Sequence, residues 1–188
     1  MLLAVPGGHF GGAVIAALPP LTLVLGGARS GKSAFAEALV LASGLKPVYI
    51  ATAEALDGEM AERIERHRQR RGAGWRLVEE PLELAVALGD HAGAGRALLV
   101  DCLTLWLTNV LLAGRDPGRE ADRLLEALEA LTGPVVLVSN EVGLGVVPMD
   151  GLSRRFVDEA GRLHQRLAAA AQEAVFMVAG LPLHLKRA

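Results

Sequence analysis

Two hydrophobic patterns alternate along this 188-residue chain. Short runs of consecutive apolar, often β-branched residues predict buried strands, and longer stretches with apolar residues three or four apart predict amphipathic helices. Strands are predicted at Leu21–Leu25, Val48–Thr52, Trp75–Val78, Ala97–Asp101, Pro134–Ser139 and Val175–Ala179. Helices are predicted at Ala34–Ala42, Asp57–Arg71, Pro81 to about Leu88, Leu103–Leu112, Glu120–Leu131 and Ser153–Gln172. Gly114–Gly118 reads as a loop, and Gly180 with Pro182 turns the chain into a last run, Leu183–Lys186, read as an antiparallel edge strand. The alternation predicts an α/β fold: a mainly parallel sheet with helices on both faces and ligands at the carboxyl ends of its strands.

Within this pattern the junction after the first strand carries chemistry. Gly26-Gly27-Ala28-Arg29-Ser30-Gly31-Lys32-Ser33 fits G-x-x-x-x-G-K-[ST] between a strand and a helix, the context the motif requires. Glycines let successive N–H groups close around phosphate oxygens, and the helix N-terminus adds its positive dipole end. Lys32 is placed to reach the β- and γ-phosphates, and the Ser33 hydroxyl to hold Mg²⁺.

Other strand ends add to this site. Ala97–Asp101 is an apolar strand ending in an acid, suited to assist the Mg²⁺ held by the loop serine. Thr52 and Ala53 end the second strand with small residues that leave room for a nucleotide. Glu79 and Glu80 end the third; one of them is read as accepting from a base edge or ribose, against the commoner role of an acid at a helix N-terminus. After the fifth strand, Asn140-Glu141 leads into a glycine-punctuated apolar loop through Pro148, read as a lid or substrate loop. Leu103–Leu112, with Trp106, reads as a buried helix or a subunit contact, and Phe156, Ala160, Leu163, Leu167 and Ala171 as a core stripe.

Composition narrows the class. The length suits one domain, read as residues 21–188, and 52% hydrophobic residues suit buried parallel strands. The apolar Ala13–Leu25 is too short to span a membrane and is broken by Pro19 and Pro20. Residues 1–20 lack a basic leader region and read as a poorly ordered extension, or as the product of a mis-assigned start. A single cysteine, Cys102, excludes an intrachain disulfide and suits the reducing cytoplasm, and a net charge of −2 gives no pull toward nucleic acid.

Charge is uneven, however. Sixteen arginines stand against three lysines, and five of the arginines fall between Arg63 and Arg71 around His67. His67 follows Met60 and Ile64 on one helix face, so one reading makes it the amphipathic end of a core stripe. The other makes it an imidazole in a polyphosphate-gathering cluster with Arg63, Arg66, Arg68, Arg70 and Arg71. Residue pattern alone leaves three classes: a phosphotransferase, a nucleotidyltransferase with a covalent histidine, and a regulatory NTPase.

Taken in order, GGARSGKS, IATAEALDGEMAERIERHRQRR, WRLVEEP, LLVDCLTLWLTN, VSNEVGLGVVP and VAGLPLHLK resemble the bifunctional adenosylcobinamide kinase/adenosylcobinamide-phosphate guanylyltransferases of cobalamin biosynthesis. The resemblance runs from about Leu21 to Lys186. It implies a RecA-like P-loop fold, a homotrimer and two activities: phosphorylation of adenosylcobinamide by ATP or GTP, then transfer of GMP from GTP to the phosphorylated product. It implies that His67 is the guanylylated residue, with Lys32 catalytic and Ser33 and Asp101 at Mg²⁺. Nucleotide contacts are implied at Gly26, Gly27, Ala28, Arg29, Ser30, Gly31, Lys32 and Ser33, at Ala51, Thr52 and Ala53, at Arg68–Arg71, at Glu79 or Glu80, and at Asp101. The extension over residues 1–20 departs from the family. The competing expectation is a plain P-loop small-molecule kinase, in which His67 is dispensable.

Overall fold

A computed structural model describes residues 17–53 and 74–187. The predicted helix Asp57–Arg71, and with it His67, Arg68, Gln69, Arg70 and Arg71, lies outside the described residues, as do residues 1–16. Seven strands form one sheet: β1 (Leu21–Gly26), β2 (Lys46–Ala51), β3 (Arg76–Glu79), β4 (Arg96–Asp101), β5 (Val135–Asn140), β6 (Glu173–Val178) and β7 (Leu181–Lys186), in the order β3-β2-β4-β5-β1-β6-β7. All neighbours are parallel except β6 and β7, which form the expected antiparallel edge.

The central strands bury both faces, and their side chains divide by alternation. Leu23, Leu98, Val100, Val135 and Leu137 join a core with helices α2 (Leu84–His91), α3 (Leu103–Leu112), α4 (Pro117–Ala130) and α5 (Gly151–Ala170). Val24, Tyr49, Leu99, Val136 and Val138 point the other way, against Ala36 and Val40 of α1 (Lys32–Ala42). Helices therefore cover both faces, as the alternating patterns predict.

Several element boundaries differ from expectation, each for a local reason. Helix α2 begins at Leu84 rather than Pro81, because Glu80 Oε1 accepts from the N–H groups of Leu82 and Glu83 at 2.9 and 2.8 Å and holds Pro81–Glu83 in a turn. Helix α4 begins inside the predicted loop: Asp116 caps it by accepting from Arg119 N at 3.1 Å, and Pro117 takes the first helical position. Asp150 caps α5 through Ser153 N at 2.7 Å. Ahead of β1, the Pro20 carbonyl accepts from Val135 N at 2.9 Å and Leu18 packs on the α1-side core. No described helix is long and apolar enough to cross a membrane.

Candidate active site

The loop between β1 and α1 is shaped by backbone conformations that few residue types adopt. Gly26 and Gly31 have φ of 149° and 97°, and Arg29 has φ of 55°. A Cβ on Gly26 would stand 2.5 Å from the Met177 carbonyl oxygen and 2.8 Å from Ser30 Oγ, so only glycine lets the loop leave the sheet there. The loop is tied on both sides: Glu141 N donates to the Gly26 carbonyl at 3.0 Å, and Gly180 N to the Ser30 carbonyl at 3.0 Å. Lys32 is buried, and its Nζ donates to the Gly27 carbonyl at 2.6 Å, inside the curve of the loop. Helix α1 has Gly31 at its N-cap, no side-chain cap bond and no acid in its first turn. Among the described residues its positive end therefore has neither a side-chain cap nor an acid of its own first turn, which suits an anion.

Parallel register brings Ala51, Glu79 and Asp101 to the same edge. Ala51 pairs with Glu79 on one side and with Asp101 on the other, and Gly26 pairs with Asn140. Asp101 stands at the end of β4, where its Oδ2 accepts from Tyr49 Oη at 2.9 Å. The hydroxyl of Ser33 and the carboxylate of Asp101 are hard oxygen donors, the chemistry Mg²⁺ takes alongside substrate phosphates. Burial pushes the thiol of the next residue, Cys102, up to about 11, with Asp101 adding to the shift. That thiol stays protonated at neutral pH and offers no nucleophile.

Two of the predicted contact residues carry structural hydrogen bonds. Thr52 is fully buried; its hydroxyl accepts from Cys102 N at 2.9 Å and donates to the Cys102 carbonyl at 2.7 Å, so its side chain clamps β2 to β4 and does not face the edge. Glu80 spends Oε1 on the turn before α2, the role of an acid ahead of a helix.

Helix α3 frames the edge, a role that reading it as a buried helix or subunit contact missed. Asn109 Nδ2 donates to the Thr52 carbonyl at 2.9 Å and to the Pro81 carbonyl at 3.1 Å, and Trp106 Nε1 donates to the Leu82 carbonyl at 3.0 Å. Thr104 Oγ1 accepts from Asn140 N at 2.7 Å and lies 3.2 Å from Ser139 Oγ, which in turn lies 2.7 Å from His164 Nε2. The signal for these residues was present: polar side chains inside apolar runs, and a histidine beside Leu163 on the core stripe.

Comparison with known proteins agrees with this geometry. The family model described as cobinamide kinase / cobinamide phosphate guanyltransferase matches residues 22–185. The bifunctional adenosylcobalamin biosynthesis protein CobP of Pseudomonas aeruginosa is 61% identical over 167 residues, covering 87% of this chain and 96% of that protein. CobU of Escherichia coli strain K12, with the same description, is 41% identical over 181 residues, covering 88% and 99%. Among solved structures, the flagellar accessory protein FlaH of Methanocaldococcus jannaschii superposes with a TM-score of 0.56 at 11% identity, covering 91% of this chain and 80% of its own. A protein of Pyrococcus horikoshii OT3 gives 0.52 at 11% identity, covering 92% and 89%. These two speak for the fold alone. From the match over nearly all of the sheet and its edge, the chain belongs to the cobinamide kinase / cobinamide phosphate guanyltransferase family, and is a transferase.

Proposed function

We propose that this enzyme catalyses both reactions its family is named for, in cobalamin biosynthesis. It first phosphorylates adenosylcobinamide with ATP or GTP, then transfers GMP from GTP to the resulting phosphate, giving adenosylcobinamide-GDP and pyrophosphate. The observation that carries this reading is the phosphate loop at an uncapped helix N-terminus, tied to a strand edge that ends in Asp101.

In the first reaction the substrate hydroxyl attacks the γ-phosphorus and the nucleoside diphosphate leaves. Backbone N–H groups of Gly26–Ser33 and the Lys32 ammonium hold the phosphates in line. Ser33 and Asp101 would hold Mg²⁺, which supplies charge neutralisation along the phosphate chain when bound. In the second reaction a bare nitrogen of His67 attacks the α-phosphorus of GTP, forming an N–P bond as pyrophosphate leaves. A phosphate oxygen of the acceptor then attacks the same phosphorus, the N–P bond breaks, and His67 is restored. Arg68, Arg70 and Arg71 offset charge on the leaving pyrophosphate, and Gln69 contacts the nucleotide with them.

Because the chain carries one phosphate loop, a single nucleotide site serves both steps, with the His67 segment moving between them. Two GTP molecules bound productively to each catalytic unit would contradict this. Glu79, at the end of β3 and paired with Ala51, is the acid that reads the nucleotide, while one oxygen of Glu80 serves the turn before α2. Residues 21–188 act as one domain, cytoplasmic and homotrimeric. The open edge at β7, where Leu181, Leu183 and Leu185 are exposed, supports subunit contact, and the exposed Leu144, Val146 and Val147 support a lid over an apolar acceptor.

The direct test supplies γ-labelled GTP, Mg²⁺ and adenosylcobinamide. Label is expected in adenosylcobinamide phosphate, and is expected to be lost in Lys32→Ala. Nucleotide hydrolysis without labelled product would contradict the kinase reading.

A further inference from the structure

The phosphate loop is supported from behind by a buried polar cluster that the reaction as described does not use. Ser139, His164 and Thr104 are 1%, 6% and 9% exposed, and they come from β5, α5 and α3. Asn140 N donates to Thr104 Oγ1 at 2.7 Å; Thr104 Oγ1 and Ser139 Oγ are 3.2 Å apart, and Ser139 Oγ and His164 Nε2 2.7 Å. On its other side, His164 Nδ1 lies 3.8 Å from Glu141 Oε2.

Counting protons fixes the direction of this chain. Each hydroxyl has one proton to give, and each ring nitrogen either gives or receives. With Nε2 bare, Thr104 donates to Ser139, Ser139 donates to His164, and Thr104 still accepts from Asn140, so every group is satisfied. The remaining ring proton then sits on Nδ1, facing the Glu141 carboxylate. With Nε2 protonated, His164 donates to Ser139, the Thr104 proton has only the weakly accepting Cys102 sulfur to turn to, and the bare Nδ1 faces the Glu141 carboxylate, acceptor against acceptor.

We propose that His164 is a positioning residue: its bare Nε2 terminates a one-way hydrogen-bond chain that fixes the backbone of Asn140 and Glu141 beside the phosphate loop. The link to the site is short. Asn140 pairs with Gly26 in the sheet, and Glu141 N donates to the Gly26 carbonyl, so the position of these two residues sets where the loop leaves β1. Burial holds the His164 imidazole below its ordinary value, outweighing the pull of Glu141 upward. The groups facing it from β5 and α3 are hydroxyls, and Glu141 is the charged group on the segment that follows β5.

The claim rests on the proposed kinase reaction only for its kinetic test; two spectroscopic readouts stand without it. Long-range ¹H–¹⁵N spectra of the whole enzyme at pH 7.5 are expected to place the His164 proton on Nδ1 and leave Nε2 bare. A proton on Nε2 would overturn the proposal. His164→Leu removes the acceptor, and amide exchange at Asn140 and Glu141 is expected to quicken about tenfold relative to β2. Adenosylcobinamide phosphorylation is expected to lose about tenfold in kcat with the KM for GTP changed less than about twofold, because the grip of the loop on phosphate is its own. His164→Gln keeps an oxygen acceptor and does not titrate. It is expected to retain kcat at pH 7.5 and to keep the slow amide exchange of the wild type at Asn140 and Glu141. If His164→Leu does not fold, the ring-proton position and the Gln variant decide. A Gln variant that loses kcat and slow exchange, or unchanged exchange and kcat in a folded His164→Leu enzyme, would overturn the proposal.

Discussion

Tyr49 donates its hydroxyl to Asp101 across neighbouring strands, Oη to Oδ2 at 2.9 Å. The phenol is buried, and its ring packs edge-to-face on Trp75 with centroids 5.8 Å apart. One oxygen of the strand-end carboxylate is therefore oriented by a rigid group, the arrangement expected behind a metal-assisting acid. Tyr49→Phe preserves the ring contact and removes the hydrogen bond. The Mg²⁺ concentration for half-maximal kinase activity is expected to rise about threefold to tenfold, in keeping with a charge-assisted bond. At saturating Mg²⁺, kcat is expected to change less than about twofold. A Mg²⁺ titration checks this.

Lys32 carries a second prediction. Its ammonium sits in the curve of the loop, 2.6 Å from the Gly27 carbonyl, and the side chain is only 6% exposed. Lys32→Ala is expected to lower kcat for phosphorylation by at least about a hundredfold, on the scale of one electrostatic group at a transition state. Lys32→Arg is expected not to restore it, because a planar guanidinium does not fit where a compact ammonium does. Steady-state assays on the two variants distinguish loss of charge from loss of fit.

Asn109 joins two segments far apart in sequence. One amide nitrogen serves the carbonyls of Thr52 and Pro81, so the ends of β2 and β3 hold their spacing. Asn109→Leu leaves those carbonyls unpaired, and urea unfolding is expected to record a loss of about 2 kcal/mol. The KM for GTP is expected to rise several-fold, since Ala51, Ala53 and Glu79 lie on the segments released.

Stability should also follow the state of His164. Burial lowers its pKa in the folded protein, so as the pH falls the unfolded chain takes up the proton first. The contribution of the neutral imidazole is present in full above about pH 6.5 and is lost as the pH falls to and through the lower folded value. Urea midpoints between pH 7.5 and 5.5 are expected to fall further for the wild type than for His164→Gln.

The phosphate loop and the strands around it were legible because each depends on local rules: glycines where φ is positive, a lysine and serine opening a helix, apolar runs of strand length; the order of those strands in the sheet was not, because it is set by long-range pairing. The start of α4 was hidden because Asp116-Pro117 serves equally as loop or as cap and first helical residue. The Pro81 rule failed for a different reason, since Glu80, Trp106 and Asn109 together hold Pro81–Glu83 in a turn. Thr52 illustrates the limit at the site: a small polar residue at a strand end reads as a ligand contact, yet its hydroxyl is used on Cys102, fifty residues away. Ser139 was absorbed into a strand and His164 was passed over beside the core stripe, because hydrophobic periodicity records that a position is buried and not what it bonds to.

The central claim is that His67 carries GMP between GTP and the acceptor. The most direct measurement incubates the enzyme with Mg²⁺ and α-labelled GTP, denatures it, and asks whether label remains on the protein. The account predicts acid-labile, base-stable label that is absent from His67→Ala, as a phosphoramidate requires. An enzyme that binds and turns over GTP but takes up no label would contradict it, leaving a plain kinase and returning His67 to a structural role.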